Sequence, residues 1–256
     1  MTEADARPHR VVSDLKVAVL FSTRLPLVHA SQVDGGDIAR ASWAMPVAGA
    51  LVGGLGAAVY WLAYAFGFEP LIGATLAVGA TVGVTGGLHE DGLADTADGF
   101  GGGATAERKL DIMRDSRIGT YGACALVLSI LLRVAAVAAL AEPALVAPAL
   151  IAAHVAARAT LPIFMRLTPP ARADGLSAGA GRPARVNAII AGLIGGGTLA
   201  LALSVTGAAI SVVLLAAALA CMAWFSMRQI GGQTGDVTGA LEQVGESLVL
   251  LVATVA

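Results

Sequence analysis

Long apolar stretches alternate with short polar segments along this chain. A helix needs about 20 mainly apolar residues to cross the hydrocarbon core of a bilayer. The segments that meet or approach that length are 43–66, 70–88, 121–141, 144–165, 186–203 and 207–227. A seventh segment, 244–256, is shorter and predicts a partial or tilted span. Segment 11–28 is interrupted by three charged residues and Pro26, which favours an interfacial or re-entrant helix.

This pattern predicts an all-α fold, namely a polytopic transmembrane helical bundle of six to seven spans plus an N-terminal interfacial or re-entrant helix. The composition agrees, because 57% of the 256 residues are hydrophobic and only 13% are charged. A soluble domain carries about 25% charged residues. No repeat or linker divides the chain, so we expect a single membrane domain over 1–256. The net charge of −2 provides no broad basic field, which argues against nucleic acid as a partner.

The basic residues predict the orientation of the bundle. Lys and Arg concentrate before the first span, between spans two and three, after span four and after span six. The alternate connections near 66–70, 141–144 and 203–207 contain none. The positive-inside rule therefore places the N-terminus and every long loop in the cytoplasm. Arg133 and Arg158 fall within spans, where charges are costly and indicate functional residues.

The first polar cluster, residues 89–99, follows the second span and reads HEDGLADTADG. If this stretch is helical, Asp91, Asp95 and Asp98 share one face at i, i+4 and i+7. Carboxylates in this arrangement repel one another unless a cation lies among them, and Mg²⁺ prefers such hard oxygen ligands. The cluster therefore predicts a magnesium site. A solvated acidic loop is the alternative.

The second cluster, residues 107–122, reads ERKLDIMRDSRIGTYG. Asp111 and Asp115 are spaced i, i+4, and we expect them to face the first cluster. Arg114 and Arg117 are spaced i, i+3, and arginine binds phosphate bidentately. Metal-binding carboxylates beside such arginines suit the cleavage of a diphosphate. An interfacial helix with salt bridges is the alternative.

The third cluster, residues 231–246, joins the sixth span to the last apolar segment and reads GGQTGDVTGALEQVGE. Asp236 and Glu242 are candidates to complete a metal shell or to act as a base. Helix capping by Thr238 or Asp236 is the alternative. Within span four, His154 and Arg158 are spaced i, i+4; they point into the site or form interhelical hydrogen bonds.

These three clusters resemble the cobalamin synthase family, the adenosylcobinamide-GDP ribazoletransferases. FSTRLP at 21–26 and ARADGL at 171–176 are similar to other marker regions of that family, and the resemblance runs from about residue 17 to the end. It implies a multi-pass, Mg²⁺-dependent enzyme of the bacterial inner membrane. Such an enzyme joins adenosylcobinamide-GDP to α-ribazole or its 5′-phosphate and releases GMP, with its active site facing the cytoplasm.

The candidate site residues follow from the clusters and the resemblance together. The metal candidates are Asp91, Asp95, Asp98, Asp111, Asp115 and Glu242, and the catalytic candidates are Asp91, Asp95, Asp98 and Asp236. Asp98 and Asp236 both remain open as the base. The substrate-binding candidates are Arg24, His89, Arg114, Arg117, Arg158 and Gln233. Membrane lipid is an expected partner, and a homo-oligomer or association with other cobalamin-assembly enzymes is left open.

Two other functions remain alternatives. A CDP-alcohol phosphotransferase also uses an aspartate-rich helix with Mg²⁺, but its pattern places Ala-Arg shortly after Asp-Gly, where this chain has Leu93-Ala94-Asp95. A cation-coupled transporter predicts charges deep within the spans and inverted repeats. The chain has Arg133, His154 and Arg158 at such depth and no detectable repeat.

Overall fold

The fold of the described residues, 11–26, 33–174 and 176–255, is all-α in a computed structural model of the chain. Within them the only β feature is an isolated bridge between Pro170 and Gln233. The helices are α1 Val11–Ser22, α2 Gly35–Ala41, α3 Met45–Ala65, α4 Pro70–Thr85, α5 Leu88–Gly102, α6 Ala106–Ile112, α7 Thr120–Leu140, α8 Pro143–Leu167, α9 Leu176–Ala180, α10 Arg185–Ala202, α11 Val205–Ile230 and α12 Gly235–Ala253. The predicted all-α polytopic bundle is confirmed.

Five segments of the described chain are long and apolar enough to cross a membrane: Gly35–Ala65, α7, α8, α10 and α11. The pair α4 and α5 makes a sixth only if it is counted as one broken span, because the two helices meet at an angle of 87°. The expected number of six to seven spans is therefore five or six in the structure. The expected N-terminal helix is α1, although residues 27 and 28 of that prediction lie outside the described residues.

Helix α8 lies at the centre of the bundle, against α3, α10 and α12, and is the most buried of the candidate spans. Four of its alanines belong to the largest hydrophobic cluster: Ala149, Ala152, Ala153 and Ala156. Small side chains let helix backbones approach closely in a membrane, where packing takes over the role of the hydrophobic effect. The alanine-rich sequence of α8 therefore suits a central helix.

The sharp bend after α4 places the acidic segment at the end of the bundle. Gly86 and Gly87 both adopt left-handed backbone conformations, with φ of 67° and 69°, which residues other than glycine rarely adopt. Helix α5 then begins at Leu88 and carries His89 together with four acidic residues. Because this composition is unsuited to the hydrocarbon core, we treat α4 as the membrane-embedded arm and α5 as lying outside the spanning segments.

Helix α12 differs from its prediction. The apolar segment 244–256 was expected to be a partial span, but the helix begins at Gly235 and includes Asp236, Glu242 and Glu246. It packs against α5, α7, α8 and α11. The acidic third cluster is thus part of a helix inside the bundle, and its carboxylates are placed by that packing.

Candidate active site

A cavity of about 300 Å³ lies where the acidic clusters meet the bundle. One part of its wall is apolar and includes Phe21, Ile38, Met45, Leu161 and Met165. The other part is polar and is formed by His89, Asp91, Arg172, Asp174, Gln233, Thr234, Asp236 and Thr238. Seven of the described helices and two loops contribute to the cavity wall, so residues distant in sequence share one site.

Three carboxylates lie near one another, although Asp95 itself does not line the cavity. Asp91 and Asp236 line the cavity. Burial raises the pKa of Asp95 to about 7, and the negative charges of Asp91, Asp236 and Asp98 add to this increase, while Arg172 opposes it. Burial also raises the pKa of Asp236. Carboxylates that raise the pKa of their neighbours form a site that a cation would stabilise.

A close crossing of α5 and α12 brings these carboxylates together. A Cβ atom added at Gly92 would lie 2.7 Å from the carbonyl oxygen of Asp236, and one at Gly239 would lie 3.2 Å from the Cα atom of His89. Only glycine permits this approach without a shift of the backbone. The glycines of HEDG and DVTG therefore place Asp91 beside Asp236.

Asp98 has a different environment from the other aspartates of its helix. Its carboxylate accepts hydrogen bonds from the backbone N–H groups of Gly119, at 2.7 Å, and Gly122, at 2.9 Å. These residues form the N-terminus of α7, so Asp98 caps that helix. Both oxygens of Asp98 therefore have structural partners, and Asp98 does not line the cavity.

The second cluster does not adopt the predicted arrangement. Asp111 and Asp115 were expected to share a helical face towards the first cluster, but α6 ends at Ile112, and neither aspartate lines the cavity. Asp115 instead accepts hydrogen bonds from Arg117, at 2.6 Å to Nη2. The hydrogen bonds from Arg117 lower the pKa of Asp115 to about 2. That spatial prediction is wrong because the helix is shorter than the pattern suggested.

The expected pair of phosphate-binding arginines is also separated. Arg117 is bound to Asp115, while Arg114 donates two hydrogen bonds, of 2.6 and 2.7 Å, to Asp174 at the cavity wall. Arg114 thus binds a residue of the cavity wall, Asp174, but does not line the cavity itself. Arg117 does not line the cavity.

Among the described residues, Arg172 is the arginine that lies in the cavity wall. Its Nη2 donates a hydrogen bond of 3.0 Å to the backbone carbonyl of Leu110 and lies 3.8 Å from Oδ2 of Asp236. The loop that carries it pairs with the loop before α12, because Gln233 donates to the carbonyl of Pro169 and accepts from the N–H of Ala171, both at 2.8 Å. Arg172 lies in the ARADGL motif, which the sequence already indicated as a marker region. Residue spacing, however, could not show that this motif would lie next to Asp236 of the third cluster.

Glu242 and Arg158 belong to a buried charge network rather than to the carboxylate site. They form an ion pair, and Arg158 Nη1 also lies 3.0 Å from Glu246 Oε1. His154 pairs with Glu246 as well. Although His154, Glu242 and Glu246 are close enough to hold a metal ion, Arg158 Nη1 already contacts all three. The guanidinium thus supplies the positive charge there, and the structure separates Glu242 from the expected magnesium ligands.

Arg133 extends this network towards α5. It lies 3.0 Å from Glu90 and 3.1 Å from Glu246, and all three side chains are buried. Glu90 and Glu246 had no assigned role in the sequence. Removing one member of a buried ion pair leaves an uncompensated charge, so this network fixes α5, α7, α8 and α12 relative to one another.

Of the remaining candidates, His89 and Gln233 line the cavity and Arg24 does not. His89 lines the cavity and connects it to the network, because its Nδ1 is 3.3 Å from both Arg158 Nη2 and Glu242 Oε2. Gln233 also lines the cavity and accepts a hydrogen bond from Thr238. Arg24 is exposed; its backbone N–H donates to Val84, and its side chain lies against Gly86 at the bend.

The donor set fits a hard divalent cation. Asp91, Asp95 and Asp236 supply carboxylate oxygens, and their mutual repulsion favours a positive charge between them. Mg²⁺ is commonly held by one or two carboxylates together with water and substrate phosphates. Asp91 and Asp95, with Asp236 beside them, are therefore the residues of this chain that would hold such an ion.

The fold and the site define an integral membrane protein with an acidic, arginine-bearing cavity suited to phosphate-linked substrates. A family model described as cobalamin-5-phosphate synthase matches residues 14–254. The chain belongs to that family. No solved structure matches the chain.

Curated relatives are similar along nearly their whole length. A protein of Bradyrhizobium diazoefficiens is 56% identical over 95% of this chain and 94% of its own length. A protein of Mesorhizobium japonicum is 51% identical over 97% and 95%, and one of Azorhizobium caulinodans is 47% identical over 96% of each chain. All three are named adenosylcobinamide-GDP ribazoletransferase.

Proposed function

We propose that this protein is a membrane-embedded adenosylcobinamide-GDP ribazoletransferase of cobalamin synthesis. It joins adenosylcobinamide-GDP to α-ribazole or α-ribazole 5′-phosphate and releases GMP. The family membership and the names of its relatives support this assignment. The structural observation that supports the proposed reaction is the cavity, whose wall contains Asp91, Asp236 and Arg172.

The transfer exchanges the phosphoanhydride bond of the donor for a new phosphate ester bond to the acceptor. A ribose hydroxyl of the acceptor attacks the cobinamide-side phosphorus of the diphosphate, and a new P–O bond forms. The bond from that phosphorus to the bridging oxygen breaks, and its electron pair leaves with GMP. Of the two residues considered as the base, Asp236 lines the cavity, whereas Asp98 is occupied by the backbone of α7. We therefore assign acceptance of the hydroxyl proton to Asp236.

The negative charge of the diphosphate would be balanced by Arg172 and by a Mg²⁺ ion held by nearby aspartates. Arg172 would bind phosphate oxygens at the polar end, and Asp91 and Asp95 would hold Mg²⁺. When bound, the ion would neutralise charge that develops on the leaving phosphate. His89 and Gln233 would contact substrate from the same wall.

We also propose that the protein lies in a bacterial inner membrane with this cavity open to the cytoplasm. The basic loops support this orientation through the positive-inside rule. Helices α5 and α6 and the loop with Arg172 all belong to the connections that this rule assigns to one side. The soluble substrates would then reach the site without crossing the bilayer.

The test is GMP release by the purified protein in lipid, supplied with both substrates, with and without Mg²⁺. We expect GMP and a cobalamin product only with the metal, and a decrease of at least about 100-fold in kcat for Asp91→Asn. Asp111→Asn is the matched control, because Asp111 is an exposed aspartate outside the cavity. Equal losses in both variants would contradict the assigned site, and absence of GMP from the wild-type protein would contradict the function.

A further inference from the structure

One part of the cavity wall is apolar and the other is polar, and this difference distinguishes between the two substrates. We propose that it is the acceptor pocket, and that it binds a nucleoside whose base is an apolar fused ring with that base against the apolar wall. This inference rests on the proposed function and specifies which substrate the cavity holds. The corrinoid macrocycle then stays outside, next to the polar end.

The apolar wall is built from several parts of the chain. Phe21 comes from α1, Ile38 from α2, Met45 from α3, and Leu161 and Met165 from α8. The last four are buried in one hydrophobic cluster, and Phe21 packs against it. These side chains offer no hydrogen-bonding groups to a ligand. A flat apolar ring would gain the free energy of leaving water on this wall without losing hydrogen bonds.

The size of the cavity limits its occupant. Ligand cavities span about 300–1,000 Å³, and this one, at about 300 Å³, lies at the lower end of that range. One nucleoside-sized group matches such a volume, but a corrinoid macrocycle with its side chains does not. The macrocycle of the donor therefore stays outside, and its diphosphate region would lie at the polar end.

The guanosine of the donor is the other nucleoside of the reaction, and the wall disfavours it. The edge of a guanine base carries several hydrogen-bond donors and acceptors. Burying such groups without partners costs roughly 1–3 kcal/mol each in proteins. A benzimidazole-type base, as in α-ribazole, has a single hydrogen-bonding atom, the free ring nitrogen. The apolar wall thus selects the acceptor base over guanine.

The polar end completes the arrangement for an acceptor. A base held against Met45 and Leu161 directs the attached ribose towards Asp91, Arg172 and Asp236, which line the same cavity. Asp236, the assigned proton acceptor, would then face a ribose hydroxyl. The pocket would both select the base and orient the nucleophile.

The test replaces one wall residue by a polar residue of similar size, Met45→Gln, in the full-length protein in lipid. Loss of apolar contact should raise the KM for α-ribazole about tenfold and leave the KM for adenosylcobinamide-GDP within about twofold. The preference for α-ribazole over a riboside with a polar purine base should decrease. Met222→Gln is the matched control, because Met222 is a half-buried methionine of α11 outside the cavity.

A second variant, Leu161→Ala, examines the same wall by cavity enlargement and does not depend on the folding of Met45→Gln. An increase confined to the KM of the donor, or unchanged KM values in both wall variants with wild-type GMP release intact, would overturn the pocket assignment while the proposed function stands. Absence of GMP from the wild-type protein would refute the function itself.

Discussion

Three aspartates on one helix have different surroundings in this protein. Asp91 lines the cavity, Asp95 is half-buried near Asp236, and Asp98 binds the N-terminus of α7. The sequence gives them a common helical face, but only the packing partners of α5 separate their roles. Asp91 and Asp95 meet α12, whereas Asp98 meets α7 one turn further on.

The raised pKa of Asp95 predicts pH-dependent metal binding. With a pKa of about 7 in the folded protein, Asp95 is protonated below neutral pH and must lose that proton for a cation to bind. Magnesium affinity should therefore decrease about tenfold from pH 8 to pH 6. Calorimetric Mg²⁺ titration of the wild-type protein at the two pH values measures this change. The dependence should weaken in Asp95→Asn, and an equally steep profile there would assign the titration to another group.

Arg172 and Arg117 provide a matched comparison of two arginines near the acidic clusters. Arg172→Ala should reduce kcat/KM for adenosylcobinamide-GDP by roughly 10- to 100-fold, because a charged hydrogen bond contributes about 1.5–3 kcal/mol. Arg117→Ala should leave it within about twofold, since an exposed ion pair contributes little. Steady-state kinetics at varied donor concentration distinguishes them. A larger decrease in kcat/KM for Arg117→Ala than for Arg172→Ala would instead support phosphate binding by Arg117, as expected from the sequence.

At the scale of elements, the site depends on how closely α5 and α12 cross. Gly92 and Gly239 lie where each helix meets the backbone of the other. The bend at Gly86 and Gly87 sets the direction of α5, and Arg133 connects Glu90 in the first turn of α5 to Glu246 of α12. Small displacements of reacting groups can cost about 100-fold in rate, so the crossing is as important as the carboxylates.

The change Gly92→Ala tests this crossing. The added methyl group would meet the backbone of Asp236 at 2.7 Å, so α12 must shift away from α5. We expect GMP release to decrease at least about tenfold, together with a lower thermal unfolding temperature. Gly83→Ala on α4 is the control, because a methyl group there has no atom within 4 Å. Wild-type activity in Gly92→Ala would show that the crossing tolerates a wider separation.

At the scale of the whole molecule, the exposed surface supports a membrane environment. Trp61, Tyr64, Phe66 and Phe68 are exposed around the α3–α4 connection. Aromatic side chains at this density are typical of a membrane–water interface. The basic-residue pattern assigns the acidic helix α5 and the Arg172 loop to the side opposite to this connection. The bundle would thus present its chemistry at one face.

Labelling of single cysteines tests that orientation. With Cys124 and Cys221 replaced by alanine, Ser116→Cys places a thiol in the α6–α7 connection, and Glu69→Cys places one in the α3–α4 connection. Both positions are exposed. A membrane-impermeant maleimide added to intact cells should label position 69 and leave position 116 unlabelled until the cells are lysed. The reverse pattern would invert the proposed topology.

The sequence by itself determined the helical class, the apolar segments and the three polar motifs, because hydrophobic length and short-range spacing are local properties. It also suggested that α5 is helical with Asp91 and Asp95 on one face. The end of α6 at Ile112, the assignment of Glu242 to Arg158 and the entry of Arg172 into the cavity were decided only by tertiary structure. Each depends on which distant backbone or charge a side chain meets. These tertiary contacts depend on close helix crossings at glycines and on buried ion pairs. Residue spacing along the chain does not show which helices will cross or which charges will pair.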